Sequence, residues 1–270
     1  MRKTLTIIGI ILFVAIIIAT VGYVCSNGLQ TEKFEIKIKG APSFIVAHLS
    51  DLHYPHNSVS LGEILGEIKT IKPHYIALTG DIIDDSARER DLDAVSDFFR
   101  ALSDEARCFL VIGNHEIGSV ILDEFLLAAK NNNVTVLLNE TKTVEKDGKS
   151  VCFVGLSDAY AYDERVKGYN DAKHADVCIL LAHRPEKLEE YATNPIRSPD
   201  LILSGHAHGG LLRIGNTAFY APNQGLFPKY TSGLYEKNTT KMVVSRGLGV
   251  SGVDYRFFNK YHIPVVYVSR

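Results

Sequence analysis

The sequence has no surplus of basic residues and no closely paired cysteines. Its 29 lysines and arginines stand against 31 acidic residues, which gives a net charge of −2. A nucleic-acid-binding groove needs an excess of positive charge, so we expect no nucleic acid partner. Three of the four cysteines, Cys108, Cys152 and Cys178, lie in or beside short apolar runs. This placement indicates buried small hydrophobic side chains, and it argues against a disulfide framework or a cysteine-based metal site.

Charge is also missing from a long segment near the N-terminus. After Lys3 the next charged residue is Glu32, and the twenty residues 5–24 read LTIIGIILFVAIIIATVGYV. Twenty helical residues span about 30 Å, the thickness of the hydrocarbon core of a bilayer, whereas a secretory signal has an apolar region of roughly 7–15 residues. We predict a retained signal-anchor transmembrane helix within residues 1–30, with a cleaved signal peptide as the alternative.

The charges that flank this segment predict its orientation. Arg2 and Lys3 precede the apolar run, and positive residues favour the cytoplasmic side of a membrane. We therefore expect a single-pass protein of the cell membrane whose catalytic domain is extracytoplasmic.

The rest of the chain has the pattern of one α/β domain. Strand-like segments (SFIVAHLSD, HYIALTGD, CFLVIGNHE) alternate with helix-like segments (SLGEILGEIKTI, ERDLDAVSDFFRAL) whose apolar residues recur every three or four positions. Asp147-Gly148 predicts a hairpin turn, and the last sixty residues hold several strand-like runs and little helix. The pattern predicts a domain over residues 40–270, with a parallel α/β part followed by a more antiparallel β part.

Polar residues able to bind metals follow five of the predicted strands. They are Asp51, His53, Asp81, Asn114, His115, His183, His206 and His208. Ligands of α/β sheets bind beyond the carboxyl ends of the strands, so these side chains are expected at one edge. Carboxylate, amide and imidazole groups are ligands of divalent metals. In an extended segment, the Asp-x-His and His-x-His spacings would also direct both side chains of each pair to the same side.

Five motifs in this order resemble the signature of the calcineurin-like metallophosphoesterases. They are DLH (51–53), GDIID (80–84), GNHE (113–116), His183 and GHAH (205–208). The segment GLYEKNTTKMVVSRGLGVSG resembles a subgroup of membrane-associated bacterial enzymes related to UDP-diacylglucosamine pyrophosphatases and to YkuE/YaeI-type phosphodiesterases. The resemblance implies a four-layer α/β/β/α sandwich that binds two divalent metal ions, with Mn, Fe and Zn all compatible with the ligand set.

The same resemblance assigns roles to the predicted ligands. It implies that Asp51, His53 and His208 bind one metal, that Asn114, His183 and His206 bind the other, and that Asp81 bridges the two. Two-metal chemistry then predicts in-line attack on phosphorus by a hydroxide shared by the ions. His115 is expected to protonate the leaving oxygen or to stabilise its developing charge, and a purely structural role is the alternative.

Other polar residues leave more than one interpretation open. Asp84 is a candidate to hold the loop after Asp81, and Glu116 is a candidate to orient a histidine, although both are equally compatible with solvated carboxylates. SRGLGVSG (245–252), with Arg246, is compatible with a phosphate cradle or with a tight turn. The five histidines outside the motifs are interpreted as structural or surface residues; these are His48, His56, His74, His174 and His262.

The sequence thus predicts a membrane-anchored, metal-dependent phosphoesterase. Phosphomonoester, phosphodiester and pyrophosphate bonds all suit such a site, and the anchor favours an envelope substrate such as a phospholipid or a lipid pyrophosphate. The aromatic segment 219–235 is compatible with a rim for an apolar substrate, although ordinary packing is the better explanation for most of it. The alternative function is a non-catalytic, membrane-tethered metal or ligand sensor on the same scaffold.

Overall fold

The N-terminal half of the chain alternates strands with helices. The computed structural model describes residues 2–158, 165–194, 197–210, 212–215, 217–250 and 256–270, without the side chains of residues 2 and 3. In chain order the elements of this half are α1 (Arg2–Ser26), β1 (Leu29–Lys37), β2 (Phe44–Leu49), α2 (Leu61–Ile71), β3 (Tyr75–Thr79), α3 (Leu92–Glu105), β4 (Arg107–Val111), α4 (Asn114–Gly118), α5 (Leu122–Asn131) and β5 (Thr135–Val136).

The C-terminal half is richer in strands. Its elements are β6 (Glu140–Lys146), β7 (Lys149–Leu156), α6 (Tyr169–His174), β8 (Val177–Ala182), α7 (Leu188–Ala192), β9 (Leu201–Ser204), β10 (Arg213–Ile214), β11 (Thr217–Ala218), β12 (Tyr220–Ala221), β13 (Gly225–Leu226), β14 (Gly233–Lys237), β15 (Thr240–Val244) and β16 (Tyr261–Ser269). The predicted hairpin turn at Asp147-Gly148 joins β6 to β7, and both of its residues have positive φ, as a type I′ turn requires.

Twelve of the strands in the described residues form two six-stranded sheets. The first has the order β1-β16-β2-β3-β4-β5, and the second has the order β14-β15-β9-β8-β7-β6. Within the second sheet, β15, β9, β8 and β7 are parallel, and only the edge strands β14 and β6 pair antiparallel. The second part of the chain is therefore more antiparallel than the first, as predicted, with further antiparallel pairs in the β10–β11 and β12–β13 hairpins, although the centre of its sheet is parallel. The continuous apolar runs of β8 and β9 are buried along their whole length, which is typical of central parallel strands.

Two strands of the first sheet, β16 and β1, do not belong to the series of parallel strands predicted from the sequence. The last strand, β16, returns to this sheet between β1 and β2, where it is parallel to β1 and antiparallel to β2. The strand β1 begins at Leu29, ahead of the predicted domain start at residue 40, and pairs with β16 along nine residues. The sheet therefore extends to within three residues of the end of α1.

Three apolar clusters separate four layers. The first lies between the first sheet and the helices α2, α3 and α5, and the third lies between the second sheet and α6 and α7. The middle cluster joins the two sheets, where the rings of Phe109 and Phe153 stack with centroids 3.9 Å apart. Burial of each such ring contributes roughly 1.5–3 kcal/mol to folding. The predicted α/β/β/α sandwich is confirmed, and its packed sheets bring the carboxyl ends of strands from both sheets together.

The helix α1 differs from every packed helix in its composition. Its segment Thr4–Ser26 has a mean hydropathy of 2.9, and the side chains along most of its length are exposed. Within the described residues it is long and apolar enough to cross a membrane. Its C-terminal end contacts the domain, because the Asn259 backbone N–H donates to Ser26 Oγ, an acceptor that is buried.

Candidate metal centre

The predicted ligands come from the ends of five strands in two sheets. Asp51 and His53 follow β2, Asp81 follows β3, and Asn114 follows β4 in the first sheet, whereas His183 follows β8 and the His206/His208 pair follows β9 in the second. All except Asn114, which is half-buried, are buried. The sandwich therefore collects at one edge side chains that lie up to 157 residues apart in the chain.

The first group of candidate ligands is Asp51, His53 and His208. One ligand atom from each of the three lies within 4.8 Å of the others. The Nε2 atoms of His53 and His208 are 3.2 Å apart, and His208 Nε2 is 3.7 Å from Asp51 Oδ1. The three side chains can therefore bind one ion together.

The second group is Asp81, His183 and His206, and Asp81 also faces the first group. Their ligand atoms again lie within 4.8 Å of one another, with Asp81 Oδ2 3.0 Å from His183 Nε2. The same Asp81 Oδ2 is 3.9 Å from His53 Nε2. One carboxylate oxygen thus lies between a histidine of each group.

Two buried oxygen atoms at this site have no hydrogen-bond partner among the described residues. They are Asp51 Oδ2 and Asn114 Oδ1. A buried acceptor without a donor is costly, and a bound cation beside each atom would satisfy it. Together with imidazole nitrogens, these oxygens form a mixed N/O donor set that fits a divalent metal.

The electrostatics of the site favour positive charge. Burial alone would lower the pKa of His183, but the Asp81 carboxylate outweighs it and raises that pKa to about 10. Burial would raise the pKa of Asp81, yet His183 and His53 hold it far below its ordinary value. Burial also raises the pKa of Asp51. A cation would relieve the cost of burying these carboxylates together.

The backbone at the ligands corrects the extended geometry expected from the sequence. The residues Asp51, His53, Asp81, His206 and His208 all have φ between 47° and 65°. Left-handed backbone is uncommon for non-glycine residues and is concentrated at functional sites, where the surrounding structure stabilises it. The side chains of each pair meet because the chain turns sharply at every ligand, and not because a straight strand alternates its faces.

Close approach of the backbone to the ligands requires glycine at Gly113 and Gly205. A Cβ at Gly205 would overlap Ser50 Oγ and Asp51 Oδ2, and a Cβ at Gly113 would overlap Asp81 Oδ1. Each neighbour is a ligand or the residue before one. These glycines therefore let the loops of both sheets pack directly on the carboxylates.

Glu116 lies under the Asp81 loop and does not orient a histidine. Its carboxylate accepts hydrogen bonds from the backbone N–H groups of Asp81, Ile82, Ile83 and Gly113. Burial, with a contribution from Asp81, raises its pKa to about 7. The sequence suggested either a histidine-orienting group or a solvated carboxylate, and both roles are wrong. Glu116 instead joins the backbone of the Asp81 loop to that of Gly113.

We expect Glu116→Gln to destabilise the protein and to weaken metal binding. The amide group would place a donor against backbone N–H groups, and a buried unsatisfied group costs about 1–3 kcal/mol. Urea unfolding of the full chain in detergent measures this loss. The exposed Glu124→Gln on α5 is the matched control, and equal unfolding midpoints for the two variants would contradict the assigned role.

Asp84 links a candidate ligand to the candidate acid. Its Oδ2 lies 3.4 Å from His53 Nδ1 and 3.3 Å from His115 Nδ1. The rings of His53 and His115 meet edge to face with centroids 4.4 Å apart, and the His115 backbone N–H donates to Asp81 Oδ1. Asp84 thus directs Nε2 of His53 towards the first group and fixes the ring of His115 beside it.

Several residues around the second-sheet histidines were not predicted. Asn223 Nδ2 lies 2.7 Å from His206 Nε2, and the Arg184 guanidinium, paired with Asp158, lies 3.4 Å from the same atom. Thr79 O accepts from His183 Nδ1, and Asn259 Nδ2 donates to His208 O. These contacts join sequence-distant loops, so no local motif could have indicated them.

Arg246 and the glycine-rich segment after it do not form a cradle for an anion. The Arg246 side chain donates to Glu32, Gln30 and the Lys260 carbonyl. The Leu248 and Gly249 N–H groups bond to the Asp51 carbonyl and stabilise the loop of the first ligand. The end of this segment, residues 251–252, lies outside the described residues.

Four of the five histidines outside the motifs have partners in the fold, and His174 is exposed at the end of α6. His48 Nε2 contacts Thr79 Oγ1, His56 Nε2 contacts Ser86 Oγ, and His74 Nδ1 accepts from Ile45 N–H. His262 is buried with Nε2 3.2 Å from a Glu32 oxygen. These contacts agree with the structural role predicted from the sequence.

The family model of the calcineurin-like phosphoesterases matches residues 44–210. This match contains all seven candidate ligands and covers more than half of the chain. The chain belongs to this family. The predicted family and the prediction of a metal-dependent phosphoester hydrolase are confirmed at this level.

Three relatives from other organisms are each 29% identical to this calcineurin-like phosphoesterase. It is 29% identical over 257 residues to the metallophosphoesterase YkuE of Bacillus subtilis, covering 90% of this chain and 86% of that one. It is 29% identical over 220 residues to the phosphodiesterase YaeI of Escherichia coli, covering 77% and 76%. It is 29% identical over 238 residues to a metallophosphoesterase of Caenorhabditis elegans, covering 83% of this chain but only 48% of that one.

A solved structure supports the fold. NAD nucleotidase (NadN) of Haemophilus influenzae superposes with a TM-score of 0.54 at 17% identity, over 77% of this chain and 45% of that one. At this identity the likeness concerns the fold alone.

Proposed function

We propose that the chain hydrolyses phosphoester bonds with two divalent metal ions held at the two ligand groups. Asp51, His53 and His208 would hold one ion, Asn114, His183 and His206 the other, and Asp81 would contact both. The observation that supports this assignment most is the position of Asp81 Oδ2 between His53 and His183. When bound, such ions make a water nucleophile available near neutral pH and neutralise charge on the phosphoryl oxygens.

The protein's own side chains orient these ligands and supply the proton. The Thr79 carbonyl accepts a hydrogen bond from His183 Nδ1, and Asp84 Oδ2 lies 3.4 Å from His53 Nδ1, so that each Nε2 is left to face the centre. Asp84 Oδ2 lies 3.3 Å from His115 Nδ1 and orients the ring. His115 then donates a proton from Nε2 to the leaving oxygen.

We also propose that α1 anchors the enzyme in the cell membrane, with the catalytic domain outside the cytoplasm. The length and apolar composition of Thr4–Ser26 support the anchor, and the early positions of Arg2 and Lys3 support the orientation. A reporter fused after Arg270 tests the orientation. Activity of a reporter that works only in the cytoplasm would contradict it.

The substrate that fits an anchored phosphoesterase is a phosphodiester or pyrophosphate of the envelope, with a phospholipid or a lipid pyrophosphate as the leading candidates. The anchor supports this class because it confines the site to the membrane surface. The relative named phosphodiesterase YaeI supports the bond type.

Hydrolysis by the full chain purified in detergent tests the function. We expect Mn²⁺-dependent release of p-nitrophenol from bis(p-nitrophenyl) phosphate, and activity on a lipid member of a panel of phosphomonoesters, phosphodiesters and lipid pyrophosphates. Metal binding without turnover of any ester would contradict the proposed enzymatic function and favour the alternative, a non-catalytic metal or ligand sensor.

A further inference from the structure

Exposed apolar side chains of the domain are concentrated beside the end of α1. Outside α1, seven of the ten exposed large apolar side chains in the described residues fall between residues 212 and 258; the ten are Ile117, Val120, Leu127, Leu212, Ile214, Tyr220, Leu226, Phe227, Leu234 and Phe258. Leu226 is 75% exposed, Phe227 69% and Ile214 64%. Single exposed apolar residues are ordinary, whereas a contiguous group marks an interaction site.

Four of these side chains, Leu212, Ile214, Phe227 and Phe258, surround two rings, and Tyr220 and Leu226 lie next to them in the chain. Leu212, Ile214, Phe219 and Phe257 line a common apolar hollow. Phe227 contacts Phe219, with ring centroids 5.8 Å apart, and Phe258 contacts Phe257, with centroids 4.7 Å apart. Leu226 pairs with Tyr220 across the β12–β13 hairpin. We call the exposed side chains the docking surface; its members are Leu212, Ile214, Tyr220, Leu226, Phe227 and Phe258.

Contacts with α1 place the docking surface at the depth of the lipid boundary. A Cβ at Gly22 would overlap the Phe257 ring, and Phe258 N–H donates to Gly22 O. Gly22 precedes Ser26 by four residues, so it lies about 6 Å before the end of the helix. The 23-residue apolar segment is about 35 Å long, only slightly longer than the ~30 Å hydrocarbon layer. Phe257 and Phe258 therefore lie at the edge of that layer.

The charge beside the docking surface fits an anionic lipid layer. A neighbouring cavity of about 700 Å³ reaches from Cys25, at the end of α1, to Phe258. Two exposed lysines line it, Lys229 and Lys260, whereas the arginines in its wall, Arg213 and Arg246, are buried and bonded within the fold. Apolar side chains flanked by basic ones are typical of surfaces that enter the headgroup region of anionic membranes.

We propose that the docking surface inserts into the same lipid layer that α1 spans, so that the metal centre opens onto the lipid headgroups. The β12–β13 hairpin supports this placement. Its strands carry Tyr220 and Leu226, and its turn carries Asn223, which contacts His206. Three residues of chain span about 10 Å, so a headgroup phosphate can reach the metal ligands while its acyl chains stay in the bilayer.

A tryptophan reporter tests the insertion without any assay of activity. The chain contains no tryptophan, so Phe227→Trp in the full chain gives a single fluorophore. The protein is reconstituted into vesicles of phosphatidylglycerol and brominated phosphatidylcholine. We expect several-fold stronger quenching for Phe227→Trp than for Leu127→Trp, a control on α5 that also replaces an exposed apolar residue. Equal quenching of the two variants by the brominated lipid would overturn the proposal. The proposal would also be overturned if the tryptophan became less accessible to solvent as the protein concentration rose but was not quenched by the brominated lipid. That second result would assign the surface to contact with a second copy of the chain.

A comparison of two substrates tests whether the metal centre opens onto the lipid headgroups. This test rests on the proposed phosphoesterase function. We expect the double variant Leu226→Ser/Phe227→Ser to lose about tenfold or more of its rate on phosphatidyl-p-nitrophenol in these vesicles. Its rate on soluble bis(p-nitrophenyl) phosphate should not change. Equal rates on the vesicle substrate for the variant and the unaltered chain would overturn the proposed opening onto the headgroups. If the unaltered chain hydrolyses neither ester, the proposed function fails, and the tryptophan experiment still decides the docking surface.

Discussion

Asp81→Ala is expected to reduce activity by at least about 10³-fold and to lower the metal content of the protein. Asp81 Oδ2 lies 3.0 Å from His183 Nε2 and 3.9 Å from His53 Nε2, so the substitution removes a contact from both ligand groups. It also leaves two cations with less negative charge between them. Loss of one preorganised electrostatic group typically costs about 10²–10³-fold in rate, and a shared group should cost at least about 10³-fold.

Metal content and turnover of Asp81→Ala, measured on the same preparation, check this expectation. The metal content per chain should fall towards one or zero. His208→Ala, which removes a ligand from one group only, is the comparison and should keep more metal and more activity. The bridging role is wrong if Asp81→Ala keeps two ions and near-normal turnover.

His115→Gln is expected to impair chemistry without loss of metal. His115 contacts Asp84 and lies edge to face against His53, but it belongs to neither group of candidate ligands described above. Loss of one general acid typically costs about 10²–10⁴-fold. The loss should be smallest for p-nitrophenyl esters, whose leaving group departs without a proton, and largest for alkyl esters.

Measurement of kcat for aryl and alkyl esters, together with metal content, distinguishes a general acid from an electrostatic group or a metal ligand. Equal losses on both substrates would remove the general-acid role and leave electrostatic stabilisation. Loss of metal from His115→Gln would make His115 a ligand and contradict the site as assigned.

Much of the fold follows from local pattern. The alternation of apolar runs and amphipathic segments predicted the strands and helices of the first half, and Asp147-Gly148 predicted the turn between β6 and β7. The second part is more antiparallel than the first, as predicted, but its parallel central strands could not be assigned from the sequence, because short apolar strands carry little information about their neighbours. The position of β16 between β1 and β2 depends on contacts more than 200 residues apart.

The candidate ligands were predictable because strand ends in α/β sheets meet at one edge, whatever the loops between them. Their backbone geometry was not predictable, since the left-handed conformation of Asp51 and His206 depends on packing between the two sheets. The role of Glu116 was missed for the same reason. Its four backbone donors belong to loops that only the tertiary structure brings together.

The sequence favoured ordinary packing for most of segment 219–235, because hydropathy alone does not distinguish packed from exposed apolar side chains. Within residues 219–235, Phe219 supports the ring of Phe227, whereas Leu226 and Phe227 face outwards. The hydropathy of these residues is similar. Only the structure shows which of them lie inside the fold and which form the docking surface.

Titration of the metal-depleted full chain with Mn²⁺ tests the central claim most directly. Hydrolysis of bis(p-nitrophenyl) phosphate is followed while the ion is added in known amounts. If the two ligand groups act as one centre joined by Asp81, activity should stay low during the first equivalent, rise during the second and then level off. Full activity at one equivalent, or activity that persists after complete chelation, would contradict the account.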